Sequence, residues 1–321
     1  ATTWIILGVT TGGAEQFYAD AKAKEAAEAA VVACAAEGVP QDAECFICKS
    51  SIEGKGIVRG CACRGTMGLA HLSCLVRQAQ VAAEPALGSG TFNKWWKCFD
   101  CGQDFHGSLQ LALAWAAWRT YVGRPETDWF RCMALGALGS GLWVSGEGAA
   151  ALPVIEANLA LLERYWSRDE NAVIIAQTNL ANALKDVGRH EEALQIRRDV
   201  YARSLTLYGN ASDTTLLRAG NLASSLIEAR AFDEVIPFLR EQVLVANQAF
   251  GPDHVRALDL ASRLSEALRL NPDATRADLT ESESLVLNVL QRRRRVLGPA
   301  HPDTKISERA LSVVRKQLGE A

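Results

Sequence analysis

The sequence predicts a mainly α-helical protein, in which a small metal-binding module precedes an α-solenoid of helix-turn-helix repeats. Ala, Leu, Glu and Arg run through most of the chain, and strand-type alternation of apolar and polar residues is scarce. Seven of the nine cysteines lie with one histidine between residues 45 and 101. Beyond residue 130, apolar residues recur about every 42 residues, which is typical of stacked helical repeats.

Composition limits the class and location of the protein. A chain of 321 residues is long enough for two or more domains. Its net charge of −3 gives no basic footprint, so we expect no nucleic-acid partner. An odd number of cysteines, with Cys-x-x-Cys pairs beside a histidine, favours metal binding in a reducing compartment over disulfides. We therefore expect a cytoplasmic protein, with the nucleus as the alternative. Because the chain starts at Ala1, a missing targeting signal has little weight.

The N-terminal segment is predicted to be a helical leader. Residues Ala14–Glu37 are rich in Ala and Glu, Gly12-Gly13 precedes them, and Gly38-Val-Pro40 ends the helix. The short apolar run Trp4–Val9 has no basic flank, so we expect it to pack on this helix rather than to act as a signal peptide.

A connecting helix over Leu109–Tyr121 is predicted between the cysteine-rich module and the repeats. This apolar run and the uncharged run Cys132–Val144 are both shorter than the roughly 20 residues that a membrane span needs. We therefore expect no membrane-spanning segment. The predicted domains are a leader (1–41), a metal-binding module (42–107), a connecting helix (108–129) and the repeats (130–321).

The module contains eight side chains of the types that bind zinc. Thiolates with one imidazole at these spacings suit a tetrahedral, redox-inert ion, and eight ligands suffice for two zinc ions. With four protein ligands on each ion, no position remains for a reactive water, so we expect structural zinc sites and no catalytic residue. The predicted ligands are Cys45, Cys48, Cys61, Cys63, His71, Cys74, Cys98 and Cys101.

The module resembles the RING-variant (RING-CH) family of ubiquitin ligases. The resemblance lies in Cys61-x-Cys63, in the seven residues before His71, and in the stretch from Gly65 to Leu75. Cys98-Phe-Asp-Cys101-Gly-Gln-Asp-Phe105 resembles the closing loop of that family.

This resemblance implies a two-zinc, cross-braced fold. One zinc would take the first and third ligand pairs, and the other would take the second and fourth. It also implies a mechanism without a covalent nucleophile. The module would bind a ubiquitin-charged conjugating enzyme through Ile47, between the first ligands, and through Leu75, which would begin the following helix.

Two departures from the family keep an alternative open. The family often has Trp four residues after the sixth ligand, where this chain has Gln78. Many active RING domains have a basic residue just after the last ligand, where this chain has Gly102. The alternative is a non-catalytic adaptor whose two parts only bind proteins. A PHD finger has the same ligand order and would suit Trp96, but it usually has a wider gap between its third and fourth ligands.

The repeats have a checkable register. Two sets of leucines recur at intervals of 42 residues, and a glycine marks the turn in the first two units. The interval lengthens to 47 in the fourth unit, which predicts a five-residue insertion near Asn271, and the chain ends within the first helix of a fifth unit. The sets are Leu138, Leu180, Leu222, Leu264 and Leu142, Leu184, Leu226, Leu268.

The array resembles tetratricopeptide repeats of the kinesin-light-chain type. The resemblance lies in Leu297-Gly-x-x-His-Pro-Asp-Thr304 and in Asn179-Leu-Ala-x-x-Leu followed by Gly-x-x-Glu-Glu-Ala. It implies that Asn179 and Asn221 face a groove that binds a protein or peptide substrate; a plain helix-surface position is the alternative. The corner residues His190, His254 and His301 are expected to cap or pack rather than to bind metal.

Overall fold

The computed structural model describes residues 14–39, 43–51, 56–61, 63, 68–84, 90–299 and 301–319. The chain divides into two compact units, Ala1–Val187 and Gly188–Ala321. The run Trp4–Val9 and part of the RING-variant motif, residues 64–67, lie outside the described residues. The mainly α fold is confirmed.

The first unit begins with a helix whose buried side is narrow. Helix α1 (Ala14–Ala36) confirms the predicted leader helix, and Gly38 follows it with a φ of 79°. Small residues every three or four positions allow a neighbouring helix to approach closely. The buried residues are Ala19, Ala23, Ala26, Ala30 and Cys34.

The described residues of the metal-binding module form little regular structure. Strands β1 (Ile57–Val58) and β2 (Ala70–His71) pair antiparallel, with Ile57 opposite His71. Helix α2 (Leu72–Ala83) starts directly after β2, and one 3₁₀ turn covers Asn93–Trp95. Such short elements bury little backbone, so other contacts must hold the segment together.

The module packs tightly on helix α3 (Gly107–Tyr121). A Cβ atom at Gly60 would lie 2.9 Å from Leu109 Cβ, so only glycine fits at this crossing. The ring of Phe92 is 5.5 Å from that of Tyr121 and stacks on that of Phe130 at 5.8 Å. One apolar core thus joins α1, the module, α3 and the helices that follow within the first unit.

Three more helices complete the first unit. Their bounds are α4 (Trp129–Val144), α5 (Gly148–Tyr165) and α6 (Glu170–Asp186). Helix α4 packs on α5 through Gly139, where a Cβ atom would lie 2.6 Å from a side-chain carbon of Ile155. Buried Asn158 donates to the Cys132 carbonyl at 2.8 Å, which joins the same two helices.

The second unit is a series of helices around a core of leucine, valine and phenylalanine side chains. Its bounds are α7 (His190–Tyr208), α8 (Asp213–Glu228), α9 (Phe232–Phe250), α10 (Val255–Leu270), α11 (Arg276–Val296) and α12 (Pro302–Leu318).

The 42-residue register predicts the buried positions of the first helices. All eight leucines of the two predicted sets lie in α4, α6, α8 and α10. All but Leu180, which is half-buried, are at most 5% exposed. The fifth unit begins with α12, as predicted.

The turn between the two helices of a repeat explains the insertion. Gly146, Gly188 and Arg230 occupy equivalent turn positions, and all three have positive φ values, between 58° and 86°. The next equivalent residue is Pro272, whose ring fixes φ near −65° and therefore prevents this turn. The fourth unit instead has a longer turn before α11, and α11 has 21 residues where α9 has 19. The predicted insertion is thus shared between the turn and the helix.

Each first helix of a repeat begins with a capping side chain. Asp128, Asp169 and Ser212 each accept a hydrogen bond from the backbone N–H three residues later. His254 and His301 accept from the N–H two residues later, at 3.3 and 3.2 Å. The capping role predicted for these two histidines is confirmed, whereas His190 is the first residue of α7 and not the residue that caps it. None of the described helices is long and apolar enough to cross a membrane.

Candidate metal centre

The structure brings the eight predicted ligands together in two groups of four. In each group the ligand atoms all lie within 4.8 Å of one another. We call Cys45, Cys48, His71 and Cys74 the first ligand cluster, and Cys61, Cys63, Cys98 and Cys101 the second ligand cluster. The grouping interleaves along the chain as the RING-variant resemblance implies.

Local structure brings the ligand side chains of the first cluster together. His71 ends β2 and is 1% exposed, and its Nδ1 atom lies 3.4 Å from Cys48 Sγ and 3.8 Å from Cys74 Sγ. The backbone N–H of His71 also points at Cys45 Sγ, at 3.4 Å. Its Nε2 atom is buried without a hydrogen-bond partner among the described residues, so Nδ1 is the ring atom placed to bind an ion.

The second cluster has the spacing of a tetrahedral thiolate site. Sulfurs on one tetrahedral ion lie about 3.8 Å apart when each metal–sulfur bond is about 2.3 Å, the Zn–S length. Cys63 Sγ and Cys98 Sγ are 3.8 Å apart. All nine cysteines of the chain are free thiols, so no disulfide competes for these ligands.

The two Cys-x-x-Cys pairs adopt the same turn. In the first, the Lys49 N–H donates to the Cys45 carbonyl at 2.8 Å and the Cys45 N–H donates to Ser50. In the second, the Gly102 N–H donates to the Cys98 carbonyl at 3.1 Å, and the Cys98 N–H donates to the Gln103 carbonyl. The residue after each pair has a positive φ, 59° at Lys49 and 67° at Gly102. Each turn therefore presents two sulfurs on one side.

Electrostatics show why a cation suits these clusters. Burial, helped by the thiol of Cys48, raises the pKa of Cys74 to about 12. Burial also raises the pKa of Cys61 and that of Cys63. Hydrogen bonds from Ser50 lower the pKa of exposed Cys48 to about 6. Most of these thiols keep their protons unless a divalent ion stabilises the thiolate, so ion binding and proton release are coupled.

The two predicted conjugating-enzyme contacts differ in exposure. Ile47 lies half-buried in the first Cys-x-x-Cys turn. Leu75 is 6% exposed and packs in the core, because α2 starts at Leu72 and turns this position inward. This burial corrects the expectation for Leu75, which neither begins the helix nor offers its side chain to a partner.

The two departures from the family lie on the surface of the module. Gln78 is half-buried on α2, and Gly102 is exposed in the second Cys-x-x-Cys turn. The left-handed backbone conformation at Gly102 favours glycine, although Lys49 adopts the same conformation in the first turn. A basic side chain at position 102 is therefore compatible with the turn and is absent from this sequence.

Asn179 and Asn221 lie on first helices, and each has a structural partner on another helix. The Asn179 amide donates to Ser140 Oγ at 3.0 Å, across 39 residues. Arg263, at the equivalent position two repeats later, donates to Ser224, also across 39 residues. This position therefore joins successive first helices. Asn221 is half-buried, and its carbonyl accepts from buried Arg197. Their groove role stays a prediction.

The basic run of α11 is matched by carboxylates of its own unit. Arg292 and Arg295 both pair with Asp253, Arg293 pairs with Asp259, and Arg294 pairs with Glu308. This run is therefore part of the inter-helix ion pairs of the second unit.

A pocket beside the module was missed by the sequence prediction. The sequence prediction considered Trp96 and Asp104 only as parts of zinc-finger motifs, and it did not consider Trp129 and Asp169. These residues are far apart in the chain, and their one sequence signal is that Asp169 holds the capping position of a repeat.

Comparisons with known proteins support both parts of the chain. Residues 45–83 match the RING-variant domain, and residues 173–213 and 273–303 match the tetratricopeptide repeat. The closing pair Cys98 and Cys101 lies beyond the first match. No curated protein matches the chain.

Two solved structures are similar to this chain over about two thirds of its length. One is a variant of a Podosopora anserina protein described as a kinesin light chain with nearly identical TPR-like repeats; it has 15% identity and a TM-score of 0.50, and the alignment covers 70% of this chain and 96% of that one. The other is BtubC (BKLC) from P. vanneervenii, with 17% identity, a TM-score of 0.54 and coverage of 66% and 84%. At such identities the likeness shows the fold. The chain thus combines a RING-variant domain with tetratricopeptide-like repeats.

Proposed function

We propose that this protein is a RING-type ubiquitin ligase whose repeats recruit a protein substrate. The observation that carries the proposal is the pair of interleaved clusters, each with four protein ligands, of which six of the eight lie in residues 45–83, the segment that matches the RING-variant domain. Two zinc ions would fill these clusters and stabilise the fold of the module. With four protein ligands each, they would leave no position for a reactive water.

Catalysis in this proposal is positioning. The module would bind a ubiquitin-charged conjugating enzyme and hold the thioester where a substrate lysine can attack it. Ile47 is the predicted contact that reaches the surface, beside the first ligand cluster. The free thiols agree with a reducing compartment, so we propose a cytoplasmic location, with the nucleus as the alternative.

The test is ubiquitin transfer by the full chain with a panel of conjugating enzymes, together with native mass spectrometry to count zinc. We expect two zinc ions and chain formation. Ile47→Ala should lower transfer about tenfold with both zinc ions retained, as for a contact residue worth about 1.4 kcal/mol. His71→Ala should lose the zinc of the first cluster and abolish transfer. His106→Ala is the matched control, because His106 is exposed and outside both clusters.

The alternative function is a non-catalytic adaptor, and Gly102 favours it. A glycine just after the last ligand has no side chain to contact both the conjugating enzyme and ubiquitin. If the protein binds two zinc ions but transfers ubiquitin with no conjugating enzyme of the panel, the ligase proposal is wrong and the adaptor remains. Gly102→Arg separates the two further, because it should raise the transfer of a weak ligase and leave an adaptor inactive.

A further inference from the structure

A half-open pocket of about 450 Å³ lies where the metal-binding module meets the first repeats, inside the first compact unit. The 3₁₀ turn and the segment after it contribute Trp95, Trp96 and Asp104, and helices α3 to α6, with the capping residue Asp169, contribute the rest. We call it the module pocket. Its volume is within the range of about 300–1,000 Å³ that is usual for ligand sites.

The lining of the module pocket combines small and large side chains. Gly136, Ala137 and Ala172 are small and leave room for a peptide backbone beside the larger apolar residues Met133 and Ile175. Trp96 and Trp129 are half-buried aromatic residues of the lining, and neither is needed to close the ligand clusters. Small residues with aromatic walls suit an extended segment that inserts one side chain.

The charged side chains that line the module pocket are all acidic. Asp104 and Asp169 line the pocket, and among the described residues no lysine, arginine or histidine does. Asp169 caps α6 by accepting from the Ala172 N–H at 3.0 Å. Asp104 is exposed and pairs with Lys97 at 3.7 Å, a distance at which the pair is easily exchanged in water. A cation beside carboxylates and tryptophan rings gains from both groups.

Polar groups of the pocket can hold a peptide main chain. Asn179 uses one amide N–H on Ser140 Oγ, and both residues line the pocket. Gln110 adds a third side chain that both donates and accepts hydrogen bonds. Such groups can form hydrogen bonds with the main chain of a peptide whatever its sequence is.

We propose that the module pocket binds an extended peptide segment through an inserted lysine or arginine side chain. The charge complementarity of the lining and its small residues carry this inference. It names the class of segment that the proposed ligase would recruit, and in that respect it rests on the proposed function. Peptide binding is measured without conjugating enzyme or ubiquitin, so failure of this inference and failure of the ligase are separate results.

The experiment uses the full, zinc-loaded chain and a library of capped octapeptides with one fixed central residue. Tryptophan fluorescence and fluorescence anisotropy report binding. We expect pools with central Lys or Arg to bind at least about fivefold more tightly than pools with central Glu. Asp104→Asn with Asp169→Asn should remove that preference, and Asn at position 169 preserves the helix cap. The control pair Asp100→Asn and Glu163→Gln removes the same charge outside the pocket.

A steric variant tests the pocket itself. Ala172→Leu places a larger side chain in the pocket and should weaken binding of the Lys pools at least about tenfold. Ala150→Leu, at an exposed position of α5 outside the pocket, should leave binding unchanged. An equal or stronger preference for Glu, binding unchanged in both pocket variants, or no binding by any pool would each overturn the inference. Zinc content and thermal melting show that the variants are folded.

Discussion

The metal-binding module and the second compact unit obtain their order in different ways. The described residues between 43 and 106 have little regular structure beyond the β1–β2 pair and helix α2, and their ligand side chains converge on two points. Residues 188–321 are helices whose leucine, valine and phenylalanine side chains form a shared core. A segment with so little regular structure depends on bound ions, whereas a repeat depends on its neighbours. The module and the second unit should therefore unfold under different conditions.

Metal removal should have the largest effect and should be confined to the first unit. Structural zinc contributes on the order of 10–16 kcal/mol to the folding of small modules, far more than any single side chain. All eight tryptophans lie before residue 188, so their fluorescence reports the first unit alone. A zinc chelator should shift tryptophan emission to the red, while far-UV circular dichroism keeps the signal of the helices from α7 to α12.

The control is the same chelator saturated with zinc beforehand, which should change neither signal. Mass spectrometry must show that both ions have left. An unchanged tryptophan spectrum in metal-free protein would show that the first unit does not depend on the ions. A complete loss of helical signal would show that the repeats depend on the ions as well.

The sequence predicts the parts of this molecule that depend on short spacing or on repetition. The ligand pairs lie two or three residues apart, so local turns bring each pair together, and the type of side chain indicates the ion. The repeat leucines occur four times, so one register predicts most buried positions. Pro272 even indicates where the register must change, because a proline cannot adopt the positive φ of the equivalent residues.

Other features depend on packing that the sequence does not display. Leu75 was expected at a partner surface, yet the packing of the 3₁₀ turn and α3 on α2 decides which side of α2 is covered. The module pocket joins Asp104 and Asp169, which come together only when α3 to α6 stack beside the module. Neither arrangement follows from local periodicity.

A core substitution in the second unit should destabilise that unit alone, and its effect should be smaller than that of metal removal on the first unit. Leu239 in α9 is fully buried, and Leu239→Ala removes apolar contacts and leaves a cavity, at a cost of about 2–5 kcal/mol. Thermal melting followed by circular dichroism should show a less stable second unit, while zinc content and tryptophan emission stay unchanged. Leu244→Ala is the control in the same helix, because Leu244 is 61% exposed. Equal effects of the two variants would contradict the assigned core.

The smallest predicted effect concerns the start of α11, where the longer turn replaces the usual one. Thr275 Oγ1 accepts from the Asp278 N–H at 3.2 Å, and Asp278 accepts from the Thr275 N–H at 2.8 Å, which forms a capping box. Thr275→Ala should cost about 1 kcal/mol in the free energy of unfolding. Thr280→Ala, one turn later on an exposed position, should cost less.

Acid should reduce the effect of Thr275→Ala. Hydrogen bonds from Thr275 lower the pKa of Asp278 below its ordinary value of 3.8. A carboxylate with a lowered pKa contributes stability above its unfolded pKa and loses it as the pH falls through the folded value. The difference between wild type and Thr275→Ala, measured by urea unfolding, should therefore be constant near neutral pH and shrink below about pH 3.8. A difference that grows in acid would show that the ionised Asp278 does not hold this turn, and that the insertion forms without the capping box.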